Sequence, residues 1–165
     1  MNASTETDRR PVGGDQTRSD AQNKVTGRTR YAGDITMPGL LYAAVLRSPH
    51  DHARLVGLDV TPAQRMDGVV QVVTAADIPG QNGFPGYSLD EPVLVPIGGT
   101  VKMRGDPVAL VAATSAETAR AAAAAIVARF EPLPVVTDPL EALQEEAPPI
   151  HTDGNLLNCR TVTFG

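Results

Sequence analysis

The 165-residue sequence is 42% hydrophobic and 20% charged, ordinary proportions for one globular domain, so neither wholesale disorder nor a fibrous architecture is indicated. A net charge of -5 leaves no basic surface to displace counterions from a phosphate backbone, and three Tyr, three Phe and no Trp leave few rings for stacking bases, so nucleic acid is not an expected partner. No apolar run approaches the length of a bilayer crossing, so no membrane partner is expected, and the one cysteine, Cys159, rules out an internal disulfide and a cysteine-held iron–sulfur cluster.

Residues 1–23 are polar, broken by Pro11 and Gly13-Gly14, and lack apolar periodicity, which predicts a flexible N-terminal arm. Arg9-Arg10 does not read as a twin-arginine export signal, because Pro11-Val12-Gly13-Gly14-Asp15 stands where an apolar segment is required. A charged arm and a single thiol point to a cytoplasmic protein. From Lys24 the texture changes to short β-type runs separated by Gly, Pro and Asp, so the domain proper is expected over 24–165.

Leu40–Leu46 reads as a buried strand entered through Met37-Pro38-Gly39, and Leu55–Val60 as a second. Thr61-Pro62 supplies a cap and an early proline for a short helix to Met66, stopped by Asp67-Gly68. Val69–Thr74 is rich in β-branched residues and predicts a strand. The Gly/Pro-rich stretch from Asp77 to Gly99 predicts an irregular excursion, with Pro92–Val95 as a short strand. Thr100–Met103 and Pro107–Ala112 are expected to pair as a hairpin around Arg104-Gly105-Asp106.

Thr114-Ser115-Ala116-Glu117 has the form of a capping box before an alanine-rich run, predicting a helix over 115–125. Ile126, Ala128 and Phe130 then alternate with other positions as one face of a strand ending at Pro132. Asp138-Pro139-Leu140-Glu141 predicts another short helix to Leu143. Arg160–Phe164 is β-like, and a chain that stops inside such a pattern is expected to be part of a longer one. The elements define an α/β domain of the α+β type with one main helix.

His50-Asp51-His52 places two imidazoles at i and i+2, one face of an extended segment, where they can share a metal. The same residues after Ser48-Pro49 can instead fix a strand-ending turn by side-chain hydrogen bonds, and with no third ligand nearby the turn is the favoured reading. His151, alone in a proline-rich loop, lacks a neighbouring nucleophile and orienting acid. Gly98-Gly99 and Gly13-Gly14 lack the Lys-Ser/Thr pair of a phosphate loop. Cys159 reads as a small, part-buried thiol beside Leu156 and Leu157, Glu145-Glu146 as a solvated helix end, and Arg104-Gly105-Asp106-Pro107 as a turn.

Taken in order, the segments resemble one family. Lys24–Tyr31, Asp34-Ile35, Pro38–Leu41, Leu46–Ala53, Gly68–Val70, Thr74–Gly80, Gly105–Ala109 and Leu133–Val136 are similar to the α/β-hammerhead domain that opens the molybdenum-cofactor-binding subunit of xanthine dehydrogenases, aldehyde oxidases and related molybdenum hydroxylases. The resemblance covers residues 10–165. It implies a mixed sheet with one alanine-rich helix and short helices. It also implies a parent enzyme that hydroxylates aldehydes or N-heterocycles with oxygen from water, passing electrons through molybdopterin, iron–sulfur clusters and usually FAD. In that family the molybdenum contacts and catalytic glutamate follow the hammerhead, so no catalytic, cofactor-binding or metal-binding residue carries over onto this chain.

The partners implied are downstream molybdenum-cofactor domains and iron–sulfur and FAD subunits or domains. The isolated chain is expected to be inactive and to self-associate through its docking face. A free-standing binding or assembly module without a redox role is the alternative, and a metal-dependent hydrolase would rest on His50 and His52.

Overall fold

The computed structural model describes residues 18–84, 90–156 and 158–164. They fall into two compact units, Met1–Pro38 and Gly39–Gly165. In the described part of the first unit, helix α1 (Ala21–Val25) runs through the boundary expected at Lys24 and carries an Asp20–Lys24 ion pair at 2.6 Å, while Ala32–Asp34 forms a 3-10 turn closed by the Asp34 carboxylate on the Tyr31 N–H. Most of the expected flexible arm, residues 1–17, lies outside the described residues.

The second unit runs β1 (Tyr42–Arg47), β2 (Ala53–Asp59), α2 (Thr61–Gln64), β3 (Val69–Thr74), β4 (Thr100–Val101), β5 (Pro107–Ala113), α3 (Ala116–Ala125) and β6 (Val127–Pro132). The strands divide between two three-stranded sheets, ordered β1-β5-β3 and β4-β2-β6, antiparallel at every pairing where one mixed sheet was implied. The α+β character and the single main alanine-rich helix are as expected.

Strand β5 joins the two halves of the core. Its Ala109 and Val111 pack with Ala122, Ala123 and Ile126 around α3, while Val108, on the opposite side of the pleat, packs with Leu55, Val95 and Val101. Ala119, Ala122 and Ala123 recur at helical spacing on the buried face of α3, and their short side chains let the helix lie close on the sheet. Ser115 caps this helix through Oγ on the Thr118 N–H at 3.0 Å, one residue later than the box read from Thr114 and Glu117. At α2 the first-turn N–H of Thr61 goes to the Asp59 carboxylate at 2.9 Å, so the cap comes from two residues upstream of Thr61 rather than from Thr61 itself.

Other expectations are corrected. Strand β1 is partly exposed rather than buried, because as an edge strand it is paired on one side only, with β5. Thr100–Met103 and Pro107–Ala112 do not form a hairpin: both edges of β5 are already taken by β1 and β3, so β4 crosses to the other sheet and pairs with Ala53 and Arg54. Pro92–Val95 is not a strand: Pro92 begins it without an N–H, Pro96 follows it, and the Asn82 side chain bonds both the N–H and the C=O of Leu94, at 3.0 and 2.7 Å, leaving a single Val95 N–H bond to Pro107 O. Arg160–Phe164 forms no strand either; Val162 and Phe164 are exposed, and β-branched sequence without a paired neighbour makes no ladder. The short helix expected to Leu143 is a 3-10 turn, Glu141–Leu143, with Asp138 accepting from the N–H groups of Leu140 and Glu141 at 2.7 and 3.2 Å. Among the described residues no helix is long and apolar enough to cross a membrane.

Candidate functional site

The densest polar constellation is built around Asp90, which the sequence reading did not single out. Its carboxylate accepts from Lys102 Nζ, from His151 Nδ1 at 3.0 Å, and from the Thr152 N–H and Oγ1 at 3.2 and 2.9 Å. Lys102 also donates to the Asp90 backbone carbonyl. Burial pushes the Asp90 carboxyl pKa up, but the bonds from Lys102, Thr152 and His151 outweigh it and hold the carboxyl well below the usual carboxylate range. Its partners Lys102, His151 and Thr152 stand 12, 61 and 62 positions away, a convergence that the neighbouring sequence does not announce. The only legible clue was a histidine without a local acid.

His151 therefore does have an acid beside it. With Lys102 it lines a largely apolar cleft of about 420 Å³ that includes Phe84, Val93, Met103 and Pro107. The Thr152 hydroxyl proton is committed to Asp90, so the threonine is tied as a donor rather than activated as a nucleophile. Chemically the cluster is a filled carboxylate that fastens residues 151–152 to the loop before β4. Asn155 organises the same segment, accepting from the Ile150 N–H at 2.8 Å and donating to Ala142 O and Pro148 O, both at 3.1 Å.

The His50-Asp51-His52 segment resolves as a turn. Ser48 Oγ accepts from the His50 N–H and donates to the His50 carbonyl, at 3.0 and 3.2 Å. The His50 ring leans on Phe130 with centroids 5.0 Å apart, while buried His52 bonds Pro134 O through Nδ1 at 2.5 Å. Only a donor suits a carbonyl, so Nδ1 carries the proton. Asp51 pairs with Arg104 at 3.1 and 3.3 Å, and this guanidinium holds the Asp51 carboxyl below its ordinary pKa.

Arg104–Pro107 is likewise a turn. Asp106 Oδ2 accepts from the N–H groups of Lys102 and Met103, at 2.8 and 3.2 Å, and Gly105 takes φ +99°. The Ser48 N–H donates to Asp106 O and the Gly105 N–H to Ser48 O, so the two turns are fastened together. Gly98-Gly99 closes a turn on Pro96 O and bonds both backbone groups of Leu55. Glu145 and Glu146 are exposed beyond the 3-10 turn. Cys159 is exposed rather than part-buried: Leu156, the described one of its two apolar neighbours, is itself exposed, and Leu157 lies outside the described residues.

Among the described residues no three His, Cys, Asp or Glu side chains are grouped as the ligand set of a metal ion.

One short and one longer helix packed on the β1-β5-β3 sheet, beside a second small antiparallel sheet and tight polar turns, define an α+β domain. The family model "Aldehyde oxidase and xanthine dehydrogenase, a/b hammerhead domain" matches residues 26–134, and the chain belongs to this family. A probable xanthine dehydrogenase subunit of Bacillus subtilis (strain 168) is 41% identical over 141 residues, covering 86% of this chain and 19% of that protein. The nicotinate dehydrogenase large molybdopterin subunit of Eubacterium barkeri is 36% identical over 154 residues, covering 93% and 36%. The solved aldehyde oxidoreductase of Desulfovibrio gigas shares the fold with a TM-score of 0.73 at 35% identity, covering 82% of this chain and 16% of that one. The chain thus spans 16% to 36% of the length of these relatives.

Proposed function

We propose that this chain is the hammerhead part of the large subunit of a molybdenum hydroxylase that converts a C–H of an aldehyde or N-heterocycle to C–OH with water as the oxygen source, releasing two electrons and two protons. The observation that carries this reading is the family match over residues 26–134, supported by relatives named as a xanthine dehydrogenase subunit and a large molybdopterin subunit. In this reading the bound molybdenum cofactor supplies the electron-accepting centre from a different part of the subunit, with iron–sulfur and FAD partners beyond it. The described residues supply no catalytic group. They act as a structural unit, with Asp90 fastening residues 151–152 to the body of the fold. One thiol in the sequence fits a cytoplasmic setting.

The test is turnover of the complete, cofactor-loaded complex on a panel of aldehydes and N-heterocycles in heavy-oxygen water. Label in the hydroxylated product is expected. A purified complex without molybdenum, or product oxygen drawn from dioxygen, overturns the reading. Expressed alone, the chain should be inactive and self-associate, since Leu41, Tyr42, Val70 and Val127 expose apolar surface. A monodisperse monomer by light scattering at high concentration would contradict the second point.

A further inference from the structure

We propose that Asn82-Gly83 is a deamidation site held latent by the fold, and that its reaction irreversibly breaks the side-chain clamp on Leu94. An asparagine followed by glycine is the least hindered arrangement for attack of the following backbone nitrogen on the side-chain carbonyl carbon, because glycine has no Cβ to block the approach. In that reaction the Gly83 N–H gives its proton to water, the nitrogen bonds to Asn82 Cγ, and the Cγ–Nδ2 bond breaks as Nδ2 takes a proton from water. Ammonia leaves, and water then opens the cyclic imide to aspartate or isoaspartate. Water is the only co-reactant, and no electrons move.

The folded chain restrains both reacting groups. Asn82 Oδ1 accepts from the Leu94 N–H at 3.0 Å and Nδ2 donates to Leu94 O at 2.7 Å, so the side-chain amide is pinned at both ends to a residue twelve positions on. Gly83 is buried, and its N–H is held by Gln81 O at 3.0 Å. Attack therefore requires the clamp to open, and the rate follows that local opening.

The product cannot re-form the clamp. A carboxylate has no N–H to give Leu94 O and sets two oxygens against it. Leu94 and Val95 are 7% and 2% exposed, and Val95 belongs to the smaller core with Leu55, Val101 and Val108. Asn82 also lines two clefts of about 460 and 470 Å³, so the same event places a negative charge in both.

The experiment ages the full-length protein at mildly alkaline pH, native and urea-unfolded in parallel. Peptide mass mapping quantifies conversion at Asn82, and an isoaspartate-specific methyltransferase identifies the product. Conversion is expected to be at least about tenfold slower in the native protein, with Val95→Ala raising the native rate severalfold. Asn82→Asp should raise amide exchange at Leu94 more than at Val95, whose N–H is held by Pro107 O at 2.8 Å, while circular dichroism stays unchanged; Gly83→Ala should suppress conversion in urea. Equal native and unfolded rates, or no conversion at Asn82 in urea, would overturn the proposal, as would native exchange at Leu94 in Asn82→Asp.

Discussion

His151 Nδ1 sits 3.0 Å from the carboxylate of Asp90, a residue 61 positions earlier in the chain. This contact and the two Thr152 bonds hold the 150–155 segment against the loop before β4. Asp90→Ala is expected to cost about 1–2 kcal/mol, the range for hydrogen bonds to a partly exposed charged group. It should also speed amide exchange through 150–155 while leaving β5 protected. Unchanged exchange in that segment would show that Asp90 is not its anchor.

The same carboxylate contributes a pH dependence. Its pKa is lowered in the folded chain, so the unfolded chain binds the proton more readily and acid favours unfolding. The contribution is complete above the unfolded value of about 4 and is lost as pH falls through the lower folded value. Asp51, Asp59 and Asp77 are shifted in the same direction and keep their share of the acid slope in any Asp90 variant. The stability difference between the native chain and Asp90→Asn should therefore narrow from neutral pH into acid. A constant gap in urea midpoints down to acid pH would be the contrary result.

The paired turns separate a structural carboxylate from a surface one. Asp106 accepts two backbone N–H groups at the crossing from β4 to β5, so Asp106→Ala should lower stability by about 1–2 kcal/mol. Arg104 and Asp51 are both exposed, and their ion pair is screened by solvent and salt. Arg104→Ala should leave the urea midpoint unchanged within error at high salt. Equal losses for the two variants would mean that the ion pair, not the backbone bonds, holds the turn.

What was legible in the sequence was local. The pleated runs at Leu40–Leu46, Leu55–Val60, Val69–Thr74 and Pro107–Ala112, the alanine helix, the Arg104–Pro107 turn and the alternation of Ile126, Ala128 and Phe130 all depend on residues a few positions apart, and they stand in the structure. What was missed depends on distant partners. The partner of β4 could not be read because occupancy of both β5 edges is a property of the sheet, not of Thr100–Val101. Lys102, His151 and Thr152 converge on Asp90 from 12, 61 and 62 residues away, and Asn82 reaches its backbone partner Leu94 from 12 away, separations that a local reading does not bridge. The family was recoverable because ordered segments carry it, independently of which contacts they make.

Two glycines predict opposite outcomes for one substitution. A Cβ on Gly68 would meet Thr114 Oγ1 at 2.9 Å, at φ +85°, where L-residues are strained. Gly68→Ala should cost about 1 kcal/mol or more. A Cβ on Gly57 would meet the Arg129 guanidinium at 2.8 Å, but that group ends a flexible side chain and can swing away. Gly57→Ala should shift thermal stability by less than Gly68→Ala, and the reverse order would show that Arg129 is fixed in place.

His52 offers the last test, because it decides between the turn and the metal reading of one segment. Its ring is buried, Nδ1 donates to Pro134 O, and its own carbonyl accepts from the Leu133 N–H at 3.0 Å, so one residue ties the chain after β6 by side chain and backbone together. His52→Ala leaves Pro134 O without its donor and a void behind it, with an expected loss of about 2–3 kcal/mol. His52→Asn keeps an N–H near the Nδ1 position and should recover part of that loss. His50→Ala removes only the ring contact with Phe130 and should cost about 0.5–1 kcal/mol. Nδ1–H bonding to Pro134 O leaves Nε2 of His52 open to a metal, but among the described residues no third His, Cys, Asp or Glu is grouped with the two imidazoles, so added zinc should not raise the thermal midpoint. A zinc-dependent rise abolished by either histidine substitution would reverse the assignment and restore the pair as ligands.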